Sequence, residues 1–153
     1  MANTYTQLYI HFVFVVKFRN GQIHPEWKIN LYKYICGIVR NNEQAIISIN
    51  GMPDHIHILV KINASQSISE LAQLIKTNSS KWINEQGLTK SRFEWQKGFA
   101  AFSCSQSHAE RLMKYIAEQE EHHSKKTYIE ECKELLEGFK VDYDERYLFK
   151  TLE

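Results

Sequence analysis

Two histidines, His55 and His57, flank one isoleucine in a stretch that is typical of a β-strand. Successive strand side chains point to opposite faces, so both imidazoles should project from one surface while Ile56 points to the other. Two neutral imidazoles held side by side are good ligands for a divalent metal ion, and the pair therefore predicts half of a metal site. An isolated HxH pattern is more often incidental, so this prediction needs support from elsewhere in the chain.

Tyr115 and Gln119 lie one helical turn apart in a segment that should begin near Ser107 and run to about Glu121. The segment's apolar residues recur at the spacing of a buried helical stripe: Ala109, Leu112, Met113, Ile116 and Ala117. Tyr115 falls well away from the centre of this stripe, so we expect a surface or interface tyrosine. Gln119 follows on the same side and, taken alone, would be an ordinary solvated residue.

A tyrosine beside two metal-binding histidines has a specific chemistry available to it. The phenol is a poor nucleophile at neutral pH because its pKa is near 10, and the negative oxygens of a phosphodiester make it a poor electrophile. A divalent cation held by two imidazoles and an amide oxygen would polarise the phosphate and orient it for in-line attack. Attack by tyrosine would give a covalent phosphotyrosine. Ligand softness alone favours Zn²⁺ or Mn²⁺ for such a site.

The bulk properties are those of an ordinary globular protein. The 153 residues are 43% hydrophobic and 24% charged, which predicts one domain spanning 1–153. Neither a membrane-spanning segment nor a signal peptide is evident, and three cysteines without CxxC spacing suggest reduced thiols, so we expect a cytoplasmic protein. The net charge of +1 argues weakly against a nucleic-acid binder. However, the first 97 residues are net basic and the remainder net acidic, and binding needs only a basic face.

The order of apolar patterns and turn signals predicts β-α-β-β-α-β followed by C-terminal helices. The predicted strands cover residues 4–17, 45–49, 55–62 and 99–103, and the predicted helices cover 25–41, 68–85, 107–121 and 128–139. Residues 50–54 form a turn, and capping boxes begin at Ser67 and Ser107. The fold class is therefore α+β, a ferredoxin-like or RRM-like split βαβ sandwich. Its antiparallel sheet carries helices on one face, with a C-terminal tyrosine-bearing helix in addition. Its first and third strands are central.

An ordered series of motifs resembles the single-tyrosine HUH transposases of insertion sequences that move as single-stranded DNA, and their relatives associated with repetitive palindromic (REP) elements. The resemblance covers essentially the whole chain. The motifs are Val13-Phe14 with Lys17 and Arg19, the run from Gly51 to Val60, Lys76, Ser79 to Trp82, Trp95 to Phe99, Ala101 to Ser103, Tyr115 to Gln119, and Glu121-His122-His123. Two positions depart from the family pattern, Val16 for a small hydroxyl residue and Ala100 for a glycine.

The resemblance implies that His55, His57 and Gln119 are metal ligands and that Tyr115 is the nucleophile. It further implies Mg²⁺ or Mn²⁺ as the cofactor. The DNA partner would be single strands with hairpins at element ends, cut to leave a 5′-phosphotyrosine and a free 3′-OH and then rejoined. It also implies a homodimer in which the tyrosine helix of one subunit can complete the other's site.

Basic and aromatic residues fit such a DNA-binding role. Candidate phosphate contacts are Lys17, Arg19, Lys76, Lys81, Lys90, Arg92 and Lys97. Candidate stacking residues are Phe18 and Trp95, whereas the helical spacing of Trp82 favours a place in the core. For each of these residues taken singly, a solvated lysine or a core aromatic is the more common role.

Two other classes of function remain open on the sequence. The first is a non-catalytic single-stranded nucleic-acid-binding module, such as a domesticated regulator, which the intact set of His55, His57, Tyr115 and Gln119 disfavours. The second is a hydrolase of small phosphoesters. A histidine-triad hydrolase would want a further histidine at position 59, where this chain has Leu59.

Overall fold

In the computed structural model, which describes residues 4–119, 126–141 and 148–153, a four-stranded antiparallel sheet carries helices on both faces. The strands are β1 (Leu8–Val15), β2 (Ala45–Met52), β3 (His55–Ile62) and β4 (Ala100–Cys104). The helices are α1 (Lys28–Asn41), α2 (Ile68–Gln86), α3 (Gln106–Ala117) and α4 (Tyr128–Gly138), with a short 3₁₀ helix at Arg19–Gly21. The strand order β2-β3-β1-β4 confirms the split βαβ arrangement with β1 and β3 at the centre.

Strand alternation divides the sheet into two faces with different contents. The inner face joins α1 and α2 in the main hydrophobic core, to which β1 and β3 contribute Ile10, Phe12, Phe14, Ile56, Ile58, Val60 and Ile62. Full burial of one such side chain stabilises the fold by about 1.5–3 kcal/mol. The outer face carries two smaller apolar clusters, one around Val13, Val15 and Tyr128 and one around Leu59, Ala109 and Ile116. The polar residues of interest lie on this outer face.

Helix α2 begins where its capping sequence predicts. Ser67 is the N-cap, and its hydroxyl accepts a hydrogen bond from the Glu70 amide, an interaction worth about 1 kcal/mol. At the other end Gly87 takes a left-handed conformation, with φ of 64°, and closes the helix. The cap predicted at Ser107 is wrong: Ser105 caps α3 by accepting from the His108 amide, because the chain turns into the helix directly after β4 ends at Cys104.

The buried face of α3 also differs from the prediction. Met113 is 39% exposed and Ala117 is exposed, whereas Gln119, just beyond the helix, is fully buried. The prediction from apolar periodicity put the centre of the buried stripe too far from Tyr115. It counted apolar residues only, whereas polar side chains on the outer face of the sheet also draw residues of α3 into the interior. The helix is turned so that Tyr115 and Gln119 approach β3, and Asn50 anchors its end by donating to the Ala117 carbonyl at 3.2 Å.

The last described residues tie α4 to the end of β1. The Glu153 amide donates to the Lys17 carbonyl at 2.9 Å, and the Lys150 amide donates to the Gln96 side chain, also at 2.9 Å. The hydroxyl of Tyr128, at the start of α4, donates to the Lys150 carbonyl. Among the described residues no helix is long and apolar enough to cross a membrane. The three cysteines are free thiols, as predicted.

Gly51 is expected to be essential for the β2–β3 hairpin. A Cβ there would lie 2.2 Å from the His55 carbonyl oxygen and 2.7 Å from the Ile56 Cα, both backbone atoms that cannot yield easily. We expect Gly51→Ala to lower the free energy of unfolding in urea by about 2 kcal/mol. Gly37→Ala, in α1 with nothing within 4 Å of its Cβ, should instead raise it by about 0.5–1 kcal/mol. Equal effects of the two changes would contradict this account.

Candidate active site

His55 and His57 project together from the outer face of central strand β3. Both are buried, at 0% and 1% exposure, and their rings lie 5.1 Å apart at 78° to each other. Ile56, between them, is in the main core on the opposite face, as the strand pattern predicts. A rigid central strand therefore fixes the relative position of the two imidazoles.

Each imidazole is oriented by a partner at its Nδ1 atom. His55 Nδ1 lies 2.6 Å from Asp54 Oδ1, and His57 Nδ1 lies 2.7 Å from His11 Nε2. A carboxylate can only accept, so the His55 proton sits on Nδ1 and its Nε2 presents a lone pair to the site. The same tautomer at His57 requires His11 to accept through Nε2. Metal-binding histidines characteristically have such partners on the nitrogen that does not bind the metal.

His11 is a buried neighbour of the histidine pair that the sequence analysis missed. Its side chain is 2% exposed, and burial, followed by the proximity of His57, lowers its pKa to about 3, so it is neutral at physiological pH. It sits on the outer face of β1, paired across the ladder with Leu59, two residues beyond His57. Strand alternation in β1 could have placed it on that face, but only the β1–β3 register brings it to His57.

Gln119 reaches the histidine pair from just beyond α3. Its side chain is fully buried, contrary to the solvated position that its spacing suggested. Its Nε2 donates to the Tyr115 carbonyl at 3.4 Å, which leaves Oε1 facing His55 Nε2 at 3.3 Å. These two atoms are within hydrogen-bond distance, and both are of a kind that can bind a divalent metal ion.

Tyr115 stands edge-on to His57, with the ring centroids 6.0 Å apart at 88°. Its hydroxyl donates to Glu131, and its ring packs against the cluster around Leu59. Burial, and then the adjoining Glu131 carboxylate, raise the pKa of the phenol well above its ordinary value. In this arrangement Tyr115 is held protonated beside the histidines of its own chain.

Glu131, in the first turn of α4, was not anticipated from the sequence. It is 3% exposed, its Oε1 lies 2.8 Å from His57 Nε2, and its Oε2 lies 4.0 Å from His55 Nε2. Ligand atoms of His55, His57 and Glu131 all lie within 4.8 Å of one another, so the three residues could hold a metal ion. Glu131 lies among other acidic residues in its helix, and such a sequence normally indicates a solvent-exposed surface. The neighbouring residues therefore gave no indication that Glu131 is buried.

A cavity of about 630 Å³ borders the tyrosine side of this cluster. It lies between β4, α3 and α4, and its walls include His11, Arg111, Tyr115, Phe102 and Phe139. The walls are mostly apolar, with His11 and Tyr115 joining the cavity to the buried polar cluster. Tyr115 is therefore accessible from this cavity.

Several predicted DNA contacts lie near the histidine end of the sheet. Val16, next to Lys17, donates its amide to the Asp54 carbonyl at 2.8 Å, and the Lys17 amide bonds to the Glu94 carbonyl at 3.0 Å. Lys17 is part-exposed, and Arg19 and Lys97 are exposed. The structure thus brings the segments carrying these three cations close to the turn before His55.

The remaining predicted basic contacts are more scattered. Lys76 donates to the carbonyls of Gln96 at 2.8 Å and Gly98 at 2.6 Å, and burial lowers its pKa, so it supports the loop before β4. Lys81 is exposed on α2. Lys90 and Arg92 are exposed in the loop that follows α2.

The aromatic candidates separate into core and surface positions. Trp95 is 8% exposed and donates to the Ser79 hydroxyl at 3.0 Å, so it is a core residue and the expected stacking role is wrong. Phe18 is part-exposed, with the Lys17 ammonium 5.0 Å above its ring. Trp82 packs against the core and stacks on Tyr34 at 5.1 Å. Glu121, His122 and His123 lie outside the described residues.

Fold and site together define a class: a split βαβ domain that holds a buried His-His-Glu cluster beside a tyrosine. The family model for IS200-like transposases matches residues 4–119. The chain is 24% identical over 118 residues to the ISDra2 transposase TnpA of Deinococcus radiodurans, covering 74% of this chain and 84% of that protein. It belongs to the IS200-like transposase family, whose members are enzymes of DNA transposition.

Two solved structures share the fold. One is the crystal structure of a protein of Deinococcus radiodurans R1 described as a transposase, with a TM-score of 0.63, 18% identity, and coverage of 78% of this chain and 95% of that one. The other is a REP-associated tyrosine transposase bound to a REP hairpin, with a TM-score of 0.60, 17% identity, and coverage of 80% and 73% respectively.

The neutral burial of His11 should make the fold sensitive to acid. Because its pKa falls from 6.5 to about 3 on folding, its contribution to stability is present above pH 6.5 and is lost as the pH falls toward 3. In urea unfolding with EDTA, the wild type should lose more stability between about pH 7 and about pH 4 than His11→Asn does. His108→Asn, at an exposed histidine, should behave like the wild type. If the wild type and His11→Asn lost the same free energy of unfolding over this pH range, His11 would not be the cause of the acid sensitivity.

Proposed function

We propose that the chain is a single transposase domain that cleaves and rejoins single-stranded DNA through a 5′-phosphotyrosine at Tyr115. The observation that carries this proposal is the convergence of Tyr115, His55, His57 and Gln119 on the outer face of β3. These residues come from two elements separated by about sixty positions in the chain, and they meet at one buried point. Burying polar side chains costs free energy unless each polar group has a partner. Four such side chains would therefore seldom meet in the interior without a function.

His55 Nε2, His57 Nε2 and Gln119 Oε1 would hold the divalent cation, which we propose to be Mg²⁺ or Mn²⁺. The lone pairs described above, aimed at a common point from oriented imidazoles, fit such an ion. When bound, the ion polarises the scissile phosphate and stabilises the charge that develops on it. Buried, pre-oriented ligands require little reorganisation when the reaction occurs.

Tyr115 would supply the nucleophilic oxygen. Its Oη forms a bond to phosphorus as the bond from phosphorus to the 3′-oxygen breaks, which leaves a 5′-phosphotyrosine and a 3′-OH. The phenolic proton passes to Glu131 Oε1, which already accepts a hydrogen bond from it. The departing 3′-oxygen takes up a proton from solvent water. Rejoining runs the same steps in reverse and needs no external energy source.

The DNA partner we propose is a single strand with hairpins at the ends of the element. The similar fold of a REP-associated tyrosine transposase bound to a REP hairpin supports this choice. Lys17, Arg19 and Lys97, near the histidine end of the sheet, are the phosphate contacts we favour, with Lys76, Lys81 and Arg92 at a greater remove. Acting on chromosomal DNA, the protein would work in the cytoplasm of a prokaryotic cell.

We also propose that the protein forms a homodimer, as the resemblance to single-tyrosine HUH transposases implies. Within one chain Tyr115 already lies beside His57, so each site can be completed in cis. Completion in trans would require α3 to leave its own histidine pair and approach that of the partner.

The alternative functions are less well supported by the geometry. A histidine-triad hydrolase would need a polar residue at position 59, whereas Leu59 is fully buried in an apolar cluster. A non-catalytic DNA-binding module would have no use for a half-buried tyrosine, two oriented imidazoles and an amide that converge at one point. The set as a whole favours an enzyme.

The nucleophile assignment can be tested on a denaturing gel. Wild-type protein with Mg²⁺ or Mn²⁺ and single-stranded DNA from its own element ends should give a protein–DNA adduct that survives SDS. Tyr115→Phe removes only the attacking oxygen, so it should bind the hairpin and form no adduct. EDTA should abolish the adduct in the wild type. Persistence of the adduct in Tyr115→Phe would exclude this nucleophile, and hairpin binding without any adduct would favour the binding module.

The proposed DNA-binding end of the sheet can be tested with matched lysines. Lys97→Gln should weaken binding of the element-end hairpin and reduce the slope of log affinity against log salt by about one, because one phosphate contact is lost. Lys61→Gln removes the same charge from the exposed side of β3 at the opposite end of the strand, and it should leave affinity unchanged. Titrations by fluorescence anisotropy at several salt concentrations would measure both. Equal weakening would place the DNA elsewhere.

A further inference from the structure

Glu131 brings a buried carboxylate to the histidine pair from a part of the chain that the family model does not match. The match ends at residue 119, whereas Glu131 lies in α4. Its Oε1 accepts from Tyr115 and lies 2.8 Å from His57 Nε2, and the side chain is 3% exposed. The site therefore contains an anionic oxygen in addition to the two imidazoles and the amide of Gln119.

We propose that Glu131 is a further ligand of the divalent cation, and that cation binding thereby fastens α4 onto the catalytic face. The inference rests on the proposed metal site and extends it to a segment outside the matched family region. Carboxylate oxygen is the ligand that Mg²⁺ and Mn²⁺ prefer, and two imidazoles alone suit them less well. Glu131 would thus explain how a histidine-rich site accepts a hard cation.

The distances are those expected around one ion. With ligands about 2.1 Å from an octahedral ion, neighbouring ligand atoms lie about 3 Å apart and opposite ones about 4.2 Å apart. His55 Nε2 lies 3.3 Å from Gln119 Oε1 and 4.0 Å from Glu131 Oε2, distances close to an edge and a diagonal of one coordination sphere. One ligand atom each from His55, His57 and Glu131 lies within 4.8 Å of the other two.

The charges also call for a cation. The Nδ1 atoms of His55 and His57 face Asp54 and His11, so the Nε2 atom of each ring is directed towards Glu131. The amide oxygen of Gln119 lies beside His55 Nε2. A carboxylate buried among such groups is favoured when a positive ion lies between them, since buried charges are otherwise strongly penalised. Its place in the first turn of α4 adds the favourable helix dipole.

Other contacts hold α4 against the outer face of the sheet, close enough to the histidine pair for Glu131 to bind the same cation. Tyr128, one turn before Glu131, packs on Val13 and Val15 and lies 5.8 Å from the His55 ring. Its hydroxyl donates to the Lys150 carbonyl, in the tail that pairs with the end of β1. The helix is thus attached on the side of the histidine pair, and a bound cation would add a link between α4 and β3.

A different role for the same carboxylate would have the opposite consequence. If Glu131 only covered the histidines in the absence of metal, the ion would have to displace it. Metal binding would then loosen α4, and removal of the carboxylate charge would leave affinity unchanged or improve it. The two roles therefore differ in the sign of two measurable quantities.

The first experiment measures Mn²⁺ binding by electron paramagnetic resonance and titration calorimetry, without DNA. Glu131→Gln keeps the shape of the side chain and should lower Mn²⁺ affinity by about tenfold or more. Glu130→Gln removes the same charge from the adjacent, exposed position in the same helical turn and should match the wild type. His57→Ala should abolish binding. Affinity of Glu131→Gln equal to or above that of the wild type would overturn the inference.

The second experiment uses the wild type alone and so does not depend on how a variant folds. Amide hydrogen exchange across residues 128–138 should slow when Mn²⁺ is added, because the ion links α4 to β3. Faster exchange in α4 on metal addition would show that Glu131 is displaced and would overturn the inference. If the wild type binds no Mn²⁺ by either method, the proposed metal site itself fails. If Mn²⁺ binding is lost in His57→Ala but unchanged in Glu131→Gln, Glu131 is not a ligand, and the rest of the proposed metal site stands.

Discussion

The main constraint on this structure is that its central strand β3 is buried on both faces although one of those faces carries two histidines. Strand β3 has neighbours on either side, helices α1 and α2 below it, and α3 and α4 above it. Imidazoles in such a position must be fully hydrogen-bonded or coordinated, because unsatisfied buried polar groups are costly. His11, Asp54, Gln119 and Glu131 meet that need. Each of these side chains is thus placed by the requirements of His55 and His57.

This arrangement separates stability from chemistry. The inner face is a continuous apolar core of two central strands and two helices, with the aromatic rings of Phe12 and Phe14 stacked at 5.7 Å. The outer face has only small apolar clusters on either side of the polar centre. The central strand therefore holds His55 and His57, the proposed metal ligands, while Tyr115 and Glu131 are carried by helices on the outer face. Side chains on a central strand are held in a precise relative geometry, which a metal site requires.

The sequence predicted the strands and helices well where local rules dominate. Strand β3 has the predicted bounds, and the Ser67 cap begins α2 as expected, because strand alternation and capping depend on neighbours in the chain. The prediction was wrong at Ser107 and for the buried stripe of α3, since there the outer face of the sheet overrides apolar periodicity. Trp95 was a candidate for DNA stacking because it lies in a polar loop, but it is a core residue whose indole donates to Ser79, which was the more common role for a single tryptophan.

By itself the sequence determined the split βαβ fold and the shared face of His55 and His57, through local periodicity, and the family resemblance pointed to Tyr115 and Gln119 as candidates. Only the tertiary structure decided which other groups meet them. His11 reaches His57 through the register of β1 against β3, and Glu131 reaches the same point from a helix far along the chain. Such contacts leave no local pattern, because they follow from how distant elements pack. The physical reason is that burial of charge is decided by three-dimensional neighbours and not by adjacent residues.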